Sequence, residues 1–595
     1  MIFPAPKRFI TGFSVKSVDI GAIIPRCPTR IGERLSNDNI LYRHQQGLNA
    51  QAYRIRYTNQ RICVYFADDH GLLYAHNALN QLMDVNATLK NDFVIEDWPD
   101  FENRTILLDI SRDRVPTLDS LKRLIDYWVQ LKFNQLQLYT EHTFAYRNHE
   151  TVWHNYSPMT AEDIQLIDAY CQEKGIELIP NQACFGHMEK WLNHEEYHYL
   201  AEQTTGFHDQ RGDYRQGAFG LNPVSDRTTQ FIDGLLTELL PNFSSKTLNI
   251  NFDETMDLGV GASKSACEIF GKGKVFLEYL NTILALAEQK GMKCQIFSDM
   301  LFRFPNLISE LHKDLTLLNW GYEADHPFDA EHRQLADFGL PFHVAVSTDC
   351  FASVAGRWSA ATTHMRRAAN SAKRYHAQGY MVTEWGDMGH GQQFSMPIPA
   401  YAFGAAMAWG EAQQTDNDVS AAVSWFFPDA SEAEKHALIA IQNIYQTTGI
   451  TVPNCAFFGP FLFDQASRRH IKRAEGLDNH NLADAYRELE ELKSQLLPYA
   501  SSPLADDLLW TIDALTLACH IAQGYAEEGH REVEHFSEER KATLIRALDP
   551  LIKQYEVLWT LHYREGGKQQ SSQRLAYLHD LLQRLPQKAK EMEVS

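Results

Sequence analysis

Between residue 105 and about residue 410, apolar strand-like runs alternate with helix-like stretches, and this alternation leaves few folds open to the chain. Two of the helix-like stretches read LDSLKRLIDYWVQLK and AEDIQLIDAYCQEKG. Strands separated by helices indicate a parallel sheet, and a closed barrel requires eight such units. The sequence supplies eight strand-like runs: TILLDIS, QLQLYTE, IELIPNQ, TLNINFD, CQIFSDM, LTLLNWG, FHVAVST and YMVTEWG. We therefore predict an α/β fold centred on a (β/α)8 TIM barrel over residues 98–425.

The segments on either side of the barrel have different patterns. Residues 1–97 combine short strand-like runs, such as AYRIRYT and RICVYFA, with the helix-like stretch LLYAHNALNQLMD. This mixture predicts a small N-terminal α/β domain. Residues 426–595 carry apolar residues at helical spacing, as in LADDLLWTIDALTLACHIAQGYAEE, and predict an all-α C-terminal domain. Its apolar stripes are typical of packing faces.

Charge and composition exclude several classes of function. The formal net charge of -21 disfavours a nucleic-acid partner, because phosphate contacts need clustered Lys and Arg. We expect no membrane span and no secretory signal, since no long uninterrupted apolar run occurs. The nine cysteines show no CxxC pair, which suggests reduced thiols and a cytoplasmic protein.

One motif resembles a metal site, and we discount it. HEEYH, residues 194–198, fits the HExxH pattern of zinc peptidases. Asn193 would cap a helix that begins there, so His194 falls in its first turn, and no third ligand follows. We expect neither a metal nor an organic cofactor.

Polar and aromatic residues collect where the predicted strands end, and in such a barrel this rim carries the active site. The general tendency of strand ends to become polar explains some of the acids. It explains the neighbouring aromatic rings less well, and rings beside carboxylates suit a sugar, which offers C–H faces and hydroxyls. The candidates at the strand ends are Asp109, Arg112, Glu141, His187, Asp253, Glu254, Trp320, Tyr322, Asp349, Trp385 and Asp387.

The two adjacent acids in KTLNINFDETMDLGVG, Asp253 and Glu254, raise the question of their roles. Neighbours on a strand point to opposite faces, so we expect the pair to be poorly placed as the facing nucleophile and acid of an ordinary retaining glycosidase. Those carboxyls lie about 5 Å apart across one bond. Adjacent acids suit substrate-assisted hydrolysis, in which one protonates the glycosidic oxygen while the other holds a 2-acetamido group that attacks.

At these residues the sequence resembles glycoside hydrolase family 20, the β-N-acetylhexosaminidases, and in particular the intracellular bacterial type with a helical C-terminal domain. RTILLDISRDRVPTLDSLKRLIDYWVQLKFNQLQLY resembles the first two barrel strands of the family, and ELIPNQACFGHMEKWL resembles the third with its Gly-His. NFDETMDLG matches the Asp-Glu pair, and TEWGDMGHGQQ resembles the eighth strand. The likeness extends over nearly the whole chain.

The resemblance implies a role for each candidate. Glu254 would be the general acid and then the base, and Asp253 would hold the acetamido N–H. Arg112 would bind hydroxyls of the terminal sugar, and Asp109 would orient that arginine. His187 and Glu141 would form a polar chain behind the acids. The remaining implied substrate-binding residues are Trp320, Trp385 and Trp409 as pocket walls, Asp387 on a distal hydroxyl, Tyr322 as a candidate for the oxazolinium oxygen, and Asp349.

The predicted function is a retaining exo-β-N-acetylhexosaminidase acting on small oligosaccharides. Two alternatives stay open: a family member with shifted specificity, and a catalytically silent sugar-binding protein. The first is motivated by Phe351, which stands where the intracellular type usually has tryptophan. The C-terminal helices offer a surface for a homodimer, which is a further expectation.

Overall fold

The computed structural model describes residues 2–11, 17–84, 88–90, 92–209, 212–410, 416–477, 481–529 and 531–584. Its first part is a five-stranded sheet, in the order β1-β7-β4-β5-β3, with helix α1 (Asp69–Asp84) on one face. The predicted runs AYRIRYT and RICVYFA form two neighbouring antiparallel strands of this sheet. The seven strands are β1 (Arg8–Thr11), β2 (Ser17–Asp19), β3 (Ile40–His44), β4 (Tyr53–Thr58), β5 (Arg61–Phe66), β6 (Thr88–Lys90) and β7 (Phe93–Asp97), of which β2 and β6 pair with each other.

The predicted barrel is confirmed. All eight strand-like runs form strands of one parallel sheet, and each strand pairs with its neighbours in sequence. The last strand also pairs with the first, over Gly379–Glu384 against Asn103–Leu108. The strands are β8 (Asn103–Asp109), β9 (Gln135–Tyr139), β10 (Glu177–Ile179), a separate hairpin of β11 (Gly206–His208) and β12 (Tyr214–Gln216), then β13 (Thr247–Asn249), β14 (Lys293–Phe297), β15 (Thr316–Trp320), β16 (Phe342–Ser347) and β17 (Gly379–Glu384).

The barrel closes weakly between β10 and β13. These two short strands share one bridge, between Asn181 and Asn249. Gln182 N–H donates to the Asn249 carbonyl at 3.0 Å, and Asn249 N–H donates to the Pro180 carbonyl at 2.9 Å. Buried amide side chains reinforce this seam, since Gln137 Oε1 accepts from Asn181 at 3.1 Å and from Asn249 at 2.8 Å.

Helices between the strands begin where side chains can satisfy free backbone N–H groups. Thr117 accepts from Ser120 N–H, and Thr160 forms a full capping box with Asp163. The helices of this region are α2 (Leu118–Gln130), α3 (Glu150–Trp153), α4 (Ala161–Glu173), α5 (Glu189–Leu192), α6 (Asp226–Leu239), α7 (Lys264–Phe270), α8 (Lys272–Gln289), α9 (Asp299–Arg303), α10 (Phe328–Phe338), α11 (Trp358–Arg374), α12 (Asp387–His390) and α13 (Ile398–Trp409).

The chain after the barrel is helical, as predicted. The longest helix, Pro503–Glu528, buries the apolar stripe that the sequence shows, and it ends before Gly529 in the left-handed conformation. The helices are α14 (Asp416–Phe426), α15 (Glu432–Ala440), α16 (Ile444–Thr448), α17 (Phe458–Phe463), α18 (Arg469–Lys472), α19 (Leu482–Leu496), α20 (Pro503–Glu528), α21 (Glu538–His562) and α22 (Lys568–Gln583). The predicted domain boundaries at residues 97 and 425 stay predictions.

One buried ion pair joins the N-terminal sheet to the barrel. Asp97 ends β7, and its carboxylate accepts from Lys132 Nζ at 2.9 Å, Tyr53 Oη at 2.8 Å and Trp409 Nε1 at 2.8 Å. Both charged side chains of the pair are fully buried, and Lys132 Nζ lies 4.1 Å from the centre of the Trp409 ring. Burial lowers the pKa of Lys132, and the adjacent Asp97 opposes that shift. The ion pair between Asp97 and Lys132 therefore holds the N-terminal sheet against the barrel.

Among the residues that the structure describes, no helix has the length and apolar content that crossing a bilayer requires.

We predict that Lys132→Met destabilises the protein by about 3–5 kcal/mol, because it leaves the Asp97 carboxylate buried without its cation. The measurement is chemical unfolding followed by tryptophan fluorescence. Lys264→Met, at an exposed lysine on α7, is the matched control and should change stability little. Equal stabilities for the two variants would contradict the role of this pair.

Candidate active site

The carboxyl-terminal ends of the barrel strands surround an open pocket of about 510 Å³, solvent included. Eight predicted site residues line it, together with three others. The lining residues are Arg112, His187, Asp253, Glu254, Phe297, Trp320, Tyr322, Phe351, Trp385, Asp387 and Asn454.

The two adjacent acids lie on a loop, which corrects the expectation that they continue a strand. Strand β13 ends at Asn249, four residues before Asp253. The backbone of this loop has positive φ angles at Asn251 (62°), Phe252 (68°) and Glu254 (47°). Residues other than glycine rarely adopt such angles. This backbone breaks the alternation of strand neighbours, and both carboxylates line the same pocket.

Buried contacts hold this strained loop. The Phe252 ring stacks on Tyr279 with centroids 5.6 Å apart, and Asn251 Nδ2 donates to Asn181 Oδ1 at 2.9 Å. Glu254 N–H donates to Asp299 Oδ2 at 3.0 Å. A Cβ on Gly186 would lie only 2.7 Å from the Asp253 carbonyl oxygen, so the Gly-His segment needs glycine to approach the loop this closely. Left-handed non-glycine residues cost about 1–2 kcal/mol each, and these contacts oppose that cost.

His187 joins the two acids. Its Nε2 lies 3.3 Å from Asp253 Oδ2 and 3.5 Å from Glu254 Oε2. Burial lowers the pKa of His187, but the charge of Asp253 and hydrogen bonds to both acids raise it well above its ordinary value. Burial likewise raises the pKa of Glu254, while His187, Arg215 and Arg112 lower it to about 2. An imidazolium therefore lies beside an ionised Glu254.

Arg112 lies on the other side of His187, in a polar and aromatic cage. Its guanidinium is 3.1 Å from Asp109 and 3.3 Å from Glu141, and its Nη2 is 3.5 Å from His187 Nδ1. Its Cζ lies 4.7 Å from the centre of the Tyr139 ring. Asp109 and Glu141 are thus placed behind Arg112 and do not line the pocket. Burial raises the pKa of Glu141 to about 7, although Arg112 opposes the shift.

Three aromatic residues form one wall. The rings of Trp320 and Tyr322 stack with centroids 5.2 Å apart, and Trp385 Nε1 donates to Tyr322 Oη at 2.9 Å. The Thr383 side chain is a second hydrogen-bond neighbour of this hydroxyl. Asp387 follows the same strand as Trp385 and lines the pocket beside it. Burial raises the pKa of Asp387.

Two predicted site residues are not at the pocket. Trp409 is completely buried at the N-terminal sheet, where it donates to Asp97, so it cannot wall a ligand site there. Asp349 is also completely buried, and its carboxylate accepts from Arg357 Nη2 at 2.9 Å. Arg357 in turn binds Glu323. Asp349 is a partner of a structural arginine, and the prediction that it binds substrate is wrong on this geometry.

Sequence reasoning missed two residues that line the pocket, Phe297 and Asn454. Phe297 ends strand β14, so the rule that selected Asp299 just after this strand could have found it too. Asn454 comes from the helical C-terminal region, and its N–H donates to Glu323 Oε1 at 2.6 Å. No local pattern connects Asn454 with the barrel rim, whose residues all precede the helical C-terminal region.

The C-terminal helices also fix the loop that carries Arg112. The Arg114 guanidinium lies 4.8 Å from the ring centre of Trp559 and 4.6 Å from that of Tyr563. Tyr555 Oη donates to the His390 carbonyl at 2.9 Å, and His390 Nδ1 lies 2.6 Å from the Arg112 carbonyl. Loops after the first and eighth strands are thus attached to α21.

Across the part of the chain that the structure describes, no three His, Cys, Asp or Glu side chains are grouped so that they could hold a metal ion. The HEEYH segment forms a 3-10 helix over Glu195–Leu200, with His194 before it in extended conformation, so the α-helical spacing of the zinc motif is lost.

Comparisons with known proteins identify relatives of the barrel. The family model described as glycosyl hydrolase family 20, catalytic domain, matches residues 101–428. A β-hexosaminidase from Vibrio furnissii is 25% identical over 268 residues, which cover 39% of this chain and 42% of that protein. The α subunit of β-hexosaminidase from Bos taurus is 28% identical over 33% of this chain and 39% of its own length. The chain thus spans about two fifths of these curated relatives.

Solved structures share the fold over more of the chain. The chitobiase of Flavobacterium johnsoniae superposes with a TM-score of 0.58 at 14% identity, over 97% of this chain and 98% of that one. An exo-β-N-acetylglucosaminidase from Vibrio harveyi, solved with N-acetylglucosamine, gives a TM-score of 0.56 at 16% identity, over 74% of this chain and 77% of that one. At such identities the likeness establishes the fold alone.

We predict that His187 is an imidazolium at neutral pH and that the double variant Asp253→Asn, Glu254→Gln makes it neutral, because burial and the Arg112 charge, which both lower its pKa, are then no longer opposed by the two acids. Ring ¹⁵N shifts of labelled histidine, assigned by loss of the His187 signals in His187→Gln, measure this directly. Buried His364, whose pKa burial lowers to about 3, is the internal control and should not respond.

The raised pKa of His187 makes the stability of the fold depend on pH. Since the folded pKa of His187 lies above the unfolded value of about 6.5, its charge stabilises the fold fully below that pH and progressively less as pH rises through the folded pKa. A neutral His187 at pH 7 in the native protein would contradict the assignment.

Proposed function

The chain belongs to glycosyl hydrolase family 20, and we propose that it is a retaining exo-β-N-acetylhexosaminidase that removes terminal 2-acetamido sugars from small oligosaccharides. The proposal rests on one observation: Asp253 and Glu254 line the same pocket, and His187 contacts both of them. Adjacent acids on one loop suit a reaction in which the attacking atom belongs to the substrate.

In the proposed first step, Asp253 accepts the acetamido N–H, and the acetamido carbonyl oxygen attacks the anomeric carbon. The glycosidic C–O bond breaks as Glu254 gives its proton to the leaving oxygen, so the sugar becomes an oxazolinium ion beside the Asp253 carboxylate. In the second step, Glu254 takes a proton from water, and the water oxygen bonds to the anomeric carbon. The bond between that carbon and the acetamido oxygen breaks at the same time, which opens the oxazolinium ring. Two inversions at one carbon give net retention.

This reaction requires a proton on Glu254, whose pKa of about 2 leaves it ionised beside the His187 imidazolium. We assign its source to His187, whose Nε2 is 3.5 Å from Glu254. Covering the pocket with a sugar excludes water, and desolvation favours the neutral forms of both a carboxyl and an imidazole. Substrate binding would thus move one proton from His187 to Glu254, which activates the acid only when a substrate is present.

The other pocket residues take positioning roles in this proposal. Arg112 would hold sugar hydroxyls through its guanidinium fork, oriented by Asp109 and Glu141. Trp320 and Trp385 would face the apolar side of the sugar and the acetamido methyl. Tyr322 would donate its hydroxyl proton to the acetamido oxygen, while Trp385 donates to the same hydroxyl. Asp387 would accept from a hydroxyl far from the cleaved bond.

Two further parts of the proposal concern substrate and location. All nine cysteines are free thiols, which supports a reducing compartment such as the cytoplasm and therefore small substrates. Phe351 forms part of the pocket wall, 5.7 Å from the Tyr322 ring. Its position supports the alternative of a shifted preference among 2-acylamido sugars, because it bounds the space beside Tyr322.

We predict that Glu254→Gln lowers kcat/KM by about 10²–10⁴ on disaccharides, whose poor leaving group needs protonation, and by less on activated aryl glycosides. Asp253→Asn should slow both substrate types, because the acetamido group loses its acceptor whatever the leaving group. Glu268→Gln, at an exposed acid on α7, is the control.

The same assays distinguish the alternatives. Binding of N-acetylglucosamine without turnover of any glycoside would identify a silent sugar-binding protein. Near-normal rates for Asp253→Asn, or faster cleavage of the N-deacetylated substrate, would overturn the assisted mechanism. A higher rate with larger N-acyl groups would favour the shifted specificity.

A further inference from the structure

The end of the fifth barrel strand, β14, connects the loop of the two acids with the aromatic wall. On one side, Phe297 N–H donates to the Asn251 carbonyl at 2.8 Å, in the loop that carries the acids. On the other side, Ser298 N–H donates to the Leu318 carbonyl at 3.0 Å, on strand β15, which ends at Trp320. The short connection between β14 and α9 therefore lies between two parts of the pocket and is bonded to both.

Asp299, the first residue of α9, makes the same connection through its side chain. Its Oδ2 accepts from the Glu254 N–H at 3.0 Å, and its Oδ1 accepts from Trp320 Nε1 at 3.4 Å. One carboxylate thus binds the backbone of an acid and the indole of the wall at the same time. Asp299 contacts both of these residues without lining the pocket itself.

Both partners of Asp299 need a fixed position. Glu254 has a φ angle of 47°, which residues other than glycine rarely adopt, so its backbone depends on the contacts that hold it. Trp320 stacks on Tyr322 with ring centroids 5.2 Å apart, so the orientation of the indole also constrains its neighbour. A displacement of about 1 Å at a reacting group can reduce a rate about a hundredfold. Asp299 can therefore influence a reaction in the pocket without touching the substrate.

The charge of Asp299 has no cationic partner. Within the described residues no Lys, Arg or His side chain forms an ion pair with it, and the carboxylates of Asp253 and Glu254 act on it from the neighbouring loop. Burial and these two charges raise the pKa of Asp299 to about 7, while the hydrogen bonds from Glu254 and Trp320 oppose the rise. Its carboxyl therefore changes from neutral to ionised near neutral pH.

We propose that Asp299 is a positioning residue for the general acid, and that its ionised carboxylate holds Glu254 and the aromatic wall in the arrangement that acts on a 2-acetamido sugar. This rests on the proposed hydrolase function and adds the group through which pH acts on the site. An ionised carboxylate accepts well at both oxygens, whereas protonation turns one oxygen into a hydroxyl, which is a poorer acceptor. The negative charge also favours a proton on the nearby Glu254.

The test compares kcat/KM of the native enzyme and of Asp299→Asn on an aryl β-N-acetylglucosaminide. The amide has one oxygen, so it can accept from only one of the two N–H groups, and it is neutral at every pH. We predict a native-to-variant ratio of about 3 near pH 5.5, where the native carboxyl is also neutral, and of about 100 near pH 8. A residue needed only for folding would give the same ratio at every pH. Glu141, whose pKa is also about 7, is present in both proteins and cancels from the ratio.

Trp320→Phe tests the same assignment without changing the carboxylate. It keeps an aromatic ring but removes the indole N–H, which opposes the rise in the pKa of Asp299. The acid limb of the kcat/KM profile should therefore move to higher pH, and the same substitution should not move it when Asp299 is already Asn. Asp337→Asn, at an exposed acid on α10, is the matched control and should change neither quantity. If Asp299→Asn does not fold, the displaced limb in Trp320→Phe still decides the question.

A native-to-variant ratio that stays constant between about pH 5.5 and 8 would overturn the positioning role, and so would an unshifted limb in Trp320→Phe. In either case cleavage by the native enzyme would leave the proposed hydrolase function intact. If the native enzyme binds N-acetylglucosamine but cleaves no N-acetylglucosaminide at any pH, the hydrolase function is wrong and the role of Asp299 in it is wrong as well.

Discussion

The structure depends on a network of buried amide side chains that closes the barrel. Gln137 lies at its centre: it donates to Gln295 at 2.8 Å and accepts from Asn181 and Asn249, and Asn251 donates to Asn181. Strands β10 and β13 share one bridge, so these side chains replace the missing ladder. Because Asn251 belongs to the network, barrel closure also fixes the loop that turns both acids into one pocket.

The regions outside the barrel complete the site. Helix α21 holds the loops after the first and eighth strands through Arg114 and Tyr555, and the C-terminal chain brings Asn454 to the pocket. Buried charges affect protonation within the site, since an imidazolium that faces two carboxylates favours their ionised forms. The barrel supplies the pocket acids, while the C-terminal region fixes the loops around them.

Much of the barrel and of its pocket could be predicted from the sequence, because strand ends in a parallel barrel meet at one rim. The eight strands and the eight pocket residues at their ends follow from periodicity and from the motifs. The alternation rule failed at Asp253 and Glu254, since left-handed residues at Asn251 and Phe252 end the strand early. Trp409, which was expected to wall the pocket, lies at the N-terminal sheet because its indole N–H donates to Asp97. Asn454 reaches the pocket only through packing of the C-terminal region on the barrel, which no local pattern encodes.

In the proposed reaction the amide of the bound sugar supplies the nucleophile, Asp253 holds that amide and Glu254 transfers the protons. The hydrolysis rates of aryl glycosides whose acetyl group carries increasing numbers of fluorine atoms measure the part that the amide plays. Fluorine withdraws electrons from the carbonyl oxygen, so kcat/KM should fall steeply with each substitution. Rates that do not depend on fluorination, accompanied by a sugar ester on a protein carboxylate in the mass spectrum, would contradict it.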